Sequence, residues 1–332
     1  MTRLLIGTLA RVGINGFLLS IFGAIFLAYL IPDFGSSASS VPWKILTDLG
    51  IALVFFFYGV KLNPEQLKTG LRNWKLHLLI QSCTFLFFPI IVVLLIEFTP
   101  WIEGDFQKGI SFLSVLPSTV SASVVMVSIS KGNLPAAIFN ASVSSLIGVL
   151  VTPLWMAWLL KGSSIELDFW VSFGELSIKV LLPVFLGLFL HSFLFPKIEK
   201  HLTKLKYLDQ SVILIIVFTS FAQSFSQEIF SPFSVSSLLK VGISMLCLFF
   251  MIWGLLDILA RLFGFGREDR ITTLFCGSKK SLVQGVVIGK IIFPDPAVFG
   301  LVLLPVMFYH IQQLIAGSIM AGIFAKHSHK KA

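Results

Sequence analysis

Long apolar runs alternate with short polar breaks along the whole chain. The runs cover approximately 13–31, 45–60, 76–98, 109–130, 134–160, 171–194, 210–227, 235–263, 271–292 and 296–325. About 20 apolar residues of helix cross a bilayer core, so the pattern predicts an all-α polytopic membrane protein with ten transmembrane helices. The breaks leave no room for an inserted soluble domain, and 1–332 reads as a single membrane domain. The fourth and ninth runs are polar in their middles, which a plain lipid-facing helix is not. Met1 to Ile31 carries two arginines ahead of its apolar run, as a signal peptide does. The run is too long for one and no A-x-A-like cleavage site follows, so it is expected to remain as the first span.

Charge tests the count independently, because cytoplasmic loops carry the Lys/Arg excess. With the N-terminus inside and loops assigned alternately, 17 of the 25 basic residues fall inside, from Arg3 and Arg11 through Lys61–Lys75 and Lys197–Lys206 to Lys330 and Lys331. Only Lys44, Lys108, Lys161, Lys240 and Lys290 fall outside, and Lys179, Lys279 and Lys280 lie within spans. The outer loops collect Asp33, Glu97, Glu103, Asp105, Glu166, Asp168, Glu228 and Asp295. A wrong count would scramble this alternation. Both termini are thus expected in the cytoplasm and the chain in the cell (inner) membrane. The basic connectors also suit lipid headgroups or a partner, but topology alone accounts for them.

Composition agrees. Apolar residues make up 56% and charged ones 12%, against roughly 25% charged in soluble proteins. The net charge of +9 sits in short loops, which argues against nucleic acid as a partner. Cys83, Cys247 and Cys276 lie in apolar runs without a C-x-x-C spacing, so neither a disulfide framework nor a zinc site is expected. No cofactor is implied.

The chemistry lies in the two polar runs. In the fourth, Leu116-Pro117-Ser118-Thr119-Val120-Ser121-Ala122-Ser123 places a helix-breaking proline beside hydroxyls that take up freed backbone groups. Lys131-Gly132-Asn133 ends that span, and the fifth carries Asn140 and Ser144 on one helical face, with Ser142 and Ser145. In the ninth, Cys276-Gly277-Ser278-Lys279-Lys280-Ser281 runs on to Gln284, and the tenth carries His310, Gln312, Gln313 and Ser318. A lysine at mid-membrane costs a few kcal/mol, so these two must face a polar cavity or a partner. Being adjacent, they point about 100° apart on a helix and are not expected to share one site. Spans four and five thus resemble nine and ten in plan, five spans later. An odd number of spans per repeat inverts the second copy. Inverted repeats with discontinuous helices 4 and 9 are the mark of secondary transporters. The candidate substrate- or ion-binding residues are Ser118, Thr119, Ser121, Ser123, Asn140, Ser144, Lys279, Lys280, Ser281, Gln284, His310 and Gln313. Ser142, Ser145 and Ser318 read first as small packing residues between membrane helices, and His310 reads equally as a satisfied packing histidine. Glu175 with Lys179 and Asp257 with Arg261 are four apart and can neutralise each other; Asp257 is also a candidate partner for a lysine of the ninth span.

These segments resemble the bile acid:sodium symporter family, in the branch of its seventh human member and bacterial relatives. The likeness runs from Pro117 to Pro153, with the Pro-Ser-Thr break, the Lys-Gly-Asn turn and the Thr-Pro ending. It includes Asp48-Leu-Gly-Ile-Ala, Phe55-Phe-Phe-Tyr-Gly-Val-Lys-Leu, Gly70-Leu-Arg-Asn-Trp-Lys-Leu-His, Phe275-Cys-Gly-Ser-Lys-Lys-Ser-Leu and Tyr309-His-Ile-Gln-Gln-Leu, and so covers nearly the whole chain. The resemblance implies panel-like helices at about 13–60 and 171–227 and core-like helices at about 76–160 and 235–325. It further implies unwound spans four and nine, alternating access, an organic anion as cargo and sodium as driving ion. This chain departs from it at the ion. Where sodium-coupled members carry a glutamate and a glutamine, it has approximately Cys276 and Lys280, and Val124 lies near an expected asparagine. A lysine ammonium offers no acceptor, which argues against sodium bound in that manner and leaves proton or lysine-mediated coupling open.

The leading expectation is a secondary active transporter of an organic anion, bile-acid-like or another small organic acid, in contact with the lipid bilayer. The alternative is a non-transporting membrane sensor or regulator that keeps the fold, which the lack of a soluble output domain disfavours. An intramembrane hydrolase needs a nucleophile and base on facing helices, and no motif joins the serines to His310.

Overall fold

The computed structural model describes residues 16–62, 73–98, 102, 104–160, 171, 174–175, 177–231 and 233–329. Within them all regular secondary structure is helical, with no strand. The helices are α1 (Gly16–Leu30), α2 (Trp43–Lys61), α3 (Trp74–Glu97), α4 (Gly104–Val115), α5 (Ser121–Ile129) and α6 (Leu134–Leu159). They continue as α7 (Ser177–Phe189), α8 (Leu202–Ser226), α9 (Val235–Leu262), α10 (Arg267–Gly277), α11 (Leu282–Ile292) and α12 (Pro296–His329). Arg3, Arg11, Lys68, Arg72, Lys330 and Lys331 on the expected inner side, and Glu103, Lys161, Glu166 and Asp168 on the outer, lie outside the described residues, as do residues 13–15 of the first expected span.

Among the described residues, six helical stretches are long and apolar enough to cross a bilayer: α2, α3, α6, His191–Ser226 (which contains α8), α9 and Pro296–Lys326 of α12. α1 and α7 are shorter apolar helices. The expected span 134–160 and α6 agree to within a residue, because Asn133 caps the helix: its Oδ1 accepts from the Ala136 N–H at 3.1 Å, with Pro135 in the first turn. Ser234 and Ser281 cap α9 and α11 in the same way. The seventh expected span, 210–227, begins earlier, at Leu202, since a helix continues past the apolar layer that hydropathy detects. The fourth and ninth expected spans are each two helices with a non-helical joint, 116–119 between α4 and α5 and 279–281 between α10 and α11.

The bundle is inside-out relative to a soluble protein. Large apolar side chains such as Phe26 and Phe189 are exposed, while serines, threonines, amides and both lysines of the 276–285 segment are buried. α1 packs on α8, α2 on α7, and α4, α8 and α9 on α12. α2 and α7 cross backbone to backbone: a Cβ at Gly59 would lie 2.1 Å from the Val184 carbonyl oxygen, and one at Gly187 2.1 Å from that of Phe56. Small residues admit such close approach between membrane helices. Glu175 and Lys179 pair as expected, at 2.9 Å, with Asp48 at 3.6 Å from the same ammonium. Asp257 does not reach a lysine of the ninth span. It pairs with Arg261 at 3.0 Å and with Arg270 from α10, beyond the α9–α10 turn.

Candidate functional site

The two non-helical joints cross at buried positions within the bundle. A helix end leaves its last carbonyls without partners, and buried ones must find substitutes. On the α4 side these are accounted for one by one. The Val115 carbonyl accepts from Thr152 Oγ1 at 2.8 Å, and that of Pro117 from the Ser281 N–H at 2.8 Å. The Ser114 and Leu116 carbonyls accept from Lys280 Nζ at 2.6 and 2.9 Å. The Ser118 N–H donates to Ser144 Oγ at 2.9 Å. On the α10 side, Ser123 Oγ donates to the Phe275 carbonyl at 3.1 Å and Ser118 Oγ to that of Cys276 at 2.6 Å. Tyr309 Oη donates to the Ser278 carbonyl at 2.6 Å. Gln313 pairs with the Lys280 peptide on both sides, accepting its N–H at 2.8 Å and donating to its carbonyl at 2.7 Å. Each break is thus sewn by side chains of the other break and of the helix that follows it.

Lys280 is 1% exposed. Besides the two carbonyls from the α4 end, its ammonium donates to the Thr84 carbonyl of α3 at 2.7 Å. That acceptor is free for a local reason. Residues Cys83–Phe87 form a π turn in which the Phe88 N–H bonds to the Cys83 carbonyl. The next donor in that register would come from residue 89, a proline, which has none. The Phe85 carbonyl, another group Pro89 leaves without a helical partner, accepts from Trp155 Nε1 at 2.8 Å. The Phe88 ring closes the far side, its centroid 4.2 Å from the ammonium. Lys279 is fully buried as well but points elsewhere. Its ammonium lies against the Met126 sulfur, 3.5 Å from the Gln313 carbonyl and 5.6 Å from the Phe275 ring. The missing side chain of Gly317 leaves it room, since a Cβ there would lie 2.9 Å from Nζ. The two adjacent lysines therefore occupy separate surroundings, although they lie in a non-helical joint and not at the 100° offset of a helix.

Of the expected residues, the crossing brings together Ser118, Thr119, Ser123, Ser144, Lys279, Lys280, Ser281 and Gln313. Thr119 and Ser123 share a hydrogen bond of 2.8 Å. Ser281 caps α11 by accepting from the Gln284 N–H at 3.2 Å, and Gln284 Oε1 is buried there without a partner among the described residues. His310 reaches the cluster through Gln313, at 2.9 Å. Ser121 is exposed on α5. Asn140 turns to α3, bonding His77 at 2.7 Å and receiving Gln81 at 3.2 Å. The residues that pattern reading passed over are Thr84, Phe88 and Pro89, Thr152 and Tyr309. Thr152 and Tyr309 stand within the motifs that carry the family resemblance, and Pro89 in the middle of the third run was the signal for the α3 residues.

Broken helices crossing around buried polar groups in a membrane bundle define a multi-pass membrane protein of transporter architecture. The chain belongs to the SBF-like CPA transporter family, whose model matches residues 15–326, the bile acid:sodium symporter type. It is 32% identical to the putative symporter YfeH of Escherichia coli over 314 residues, 93% of this chain and 92% of that one. It is 30% identical to sodium/bile acid cotransporter 7-B of Xenopus laevis over 319 residues (95% and 92%) and to the rat sodium/bile acid cotransporter 7 over 317 (94% and 93%). The family and these relatives are transporters rather than enzymes, which sets the hydrolase reading aside.

Proposed function

We propose that this protein is a secondary active transporter of an organic anion, bile-acid-like or another small organic acid, working by alternating access. The observation that carries this is the crossing of two broken helices whose end carbonyls are held by side chains of the opposite break, with a buried ammonium among them. In this reading α4 with α5 is one span and α10 with α11 another, which makes ten spans in two inverted halves, with both termini cytoplasmic in the cell membrane. α1, α2, α7 and α8 form the panel, supported by their mutual packing; α3–α6 and α9–α12 form the core.

The ion is where this chain parts from a sodium symporter. Sodium needs oxygen ligands, and three buried carbonyls, of Thr84, Ser114 and Leu116, already hold Lys280. Lys280 then stands in a coupling ion's place. Lys279 meets a sulfur and one distant carbonyl, and is the group left to face an anion or exchange a proton. Of the other candidate residues, Ser118, Thr119, Ser123, Ser144 and Gln313 hold the joints in register. Uptake of a panel of organic anions into proteoliposomes, under sodium and proton gradients separately, tests this. The expected result is uptake that ignores the sodium gradient and is lost in Lys279→Ala and Lys280→Ala. Uptake driven by sodium and untouched by either substitution would overturn it. Saturable binding with no flux of any anion would favour a sensor instead.

A further inference from the structure

We infer that the pocket around Lys280 Nζ is an alkylammonium site which the chain fills with its own side chain, and which stays selective for an alkylammonium when that side chain is removed. This extends the reading of Lys280 given above, but it rests on the local geometry and is tested without transport.

The match is one of number and kind. A lysine ammonium has three N–H donors and no acceptor, and the pocket offers three carbonyl oxygens, of Thr84, Ser114 and Leu116, at 2.6 to 2.9 Å. The fourth direction is taken by the lysine's own carbon stem. The Phe88 face, 4.2 Å away, favours a weakly hydrated organic cation. No carboxylate forms an ion pair with Lys280 among the described residues. The charge is therefore held by backbone dipoles and two rings, Phe88 at 4.2 Å and Phe85 at 6.0 Å. A bare metal ion would find three oxygens, fewer than a hard cation takes up, and an aromatic wall where it needs further ligands.

The pocket walls do not depend on Lys280. The Thr84 carbonyl is released by the π turn and Pro89, and the Ser114 and Leu116 carbonyls by the end of α4 at Pro117. The Lys280 peptide is held separately by Gln313. Lys280→Ala thus removes the occupant and leaves the acceptors buried and empty. The missing piece beyond Cβ is n-propylammonium.

The test is thermal unfolding of purified full-length protein in detergent, wild type against Lys280→Ala, titrated with ammonium, methylammonium, ethylammonium, n-propylammonium, tetramethylammonium and sodium as chlorides at constant ionic strength. The expected result is a variant of lower Tm than wild type. Its Tm rises saturably with the primary amines, most with n-propylammonium, and recovers about half of the loss or more. Tetramethylammonium, which has no N–H, and sodium leave it unmoved, and wild type responds to none of them. If the variant is recovered only as aggregate, the same series is read as the yield of monodisperse protein purified in each salt. Rescue by sodium equal to or better than n-propylammonium, equal shifts in wild type and variant, or no response to any primary amine would each overturn the inference. A Lys280→Ala protein as stable as wild type would overturn it too.

Discussion

At the scale of single residues, the crossing is a matter of carbonyls and what answers them. Thr152 bonds the Val115 carbonyl at 2.8 Å and is fully buried. Thr152→Val keeps the shape and removes the donor. In an interior without water the orphaned carbonyl costs about 1–2 kcal/mol, so the variant is expected to unfold at a lower Tm while Thr152→Ser stays near wild type. Thermal unfolding in detergent distinguishes the two. The opposite sign is expected at Lys131, which ends α5 with φ of +55°. A side chain in the left-handed region is strained by about 1 kcal/mol relative to glycine, part of which glycine's unfolded-state freedom offsets. Lys131 is exposed, so Lys131→Gly is expected to raise the Tm slightly; a fall would show that the side chain makes a contact worth more than the strain.

At the scale of helices, α2 and α7 meet on Gly59 and Gly187, and each faces the other's backbone at a distance no Cβ tolerates. Gly187→Ala must push the helices apart, with a destabilisation of about 1–3 kcal/mol. The same substitution at Gly254, with nothing within 4 Å, is expected to leave stability unchanged or raise it, and the pair of melting curves checks the contrast. The helices themselves were legible in the sequence, because a period of apolar runs and a charge alternation are both imposed by the bilayer. The broken spans were legible too, since Pro117 and the Lys279–Lys280 pair have no place in a lipid-facing helix. What the pattern did not reveal is the pairing. Which lysine meets which carbonyl depends on the π turn in α3 and on Pro89, and hydropathy is blind to a one-residue change of backbone register. Asn140 shows the same limit: its helical face with Ser144 was readable, but Ser144 turns to the crossing and Asn140 to His77 and Gln81. A polar residue in a membrane helix announces that it needs a partner without naming one.

At the scale of the whole molecule, the proposed function requires the panel and core helices to separate first at one end and then at the other. In this structure the ends of α8 and α12 that carry Ser224 and Gly300, on the expected outer side, are closed on each other. Ser224 Oγ donates to the Ala297 carbonyl at 2.8 Å, and a Cβ built on Gly300 would lie 3.3 Å from Ser224 Cβ. Disulfides hold their Cβ atoms about 3.8 Å apart, so Ser224→Cys with Gly300→Cys is positioned to bridge after a small adjustment. Cys83 and Cys276 are buried and Cys247 is exposed, so the pair belongs in a Cys247→Ala background. Under alternating access this contact must open once per cycle. Oxidation is then expected to reduce uptake into proteoliposomes to the level of empty vesicles, and a reductant to restore it, while each single-cysteine protein is unaffected by oxidant. The bridge adds no charge and leaves the helix crossing untouched, so a reversible block would reflect arrested motion rather than a damaged site. Full uptake through the oxidised, demonstrably cross-linked protein would mean that α8 and α12 move as one body, and that the line between panel and core runs elsewhere.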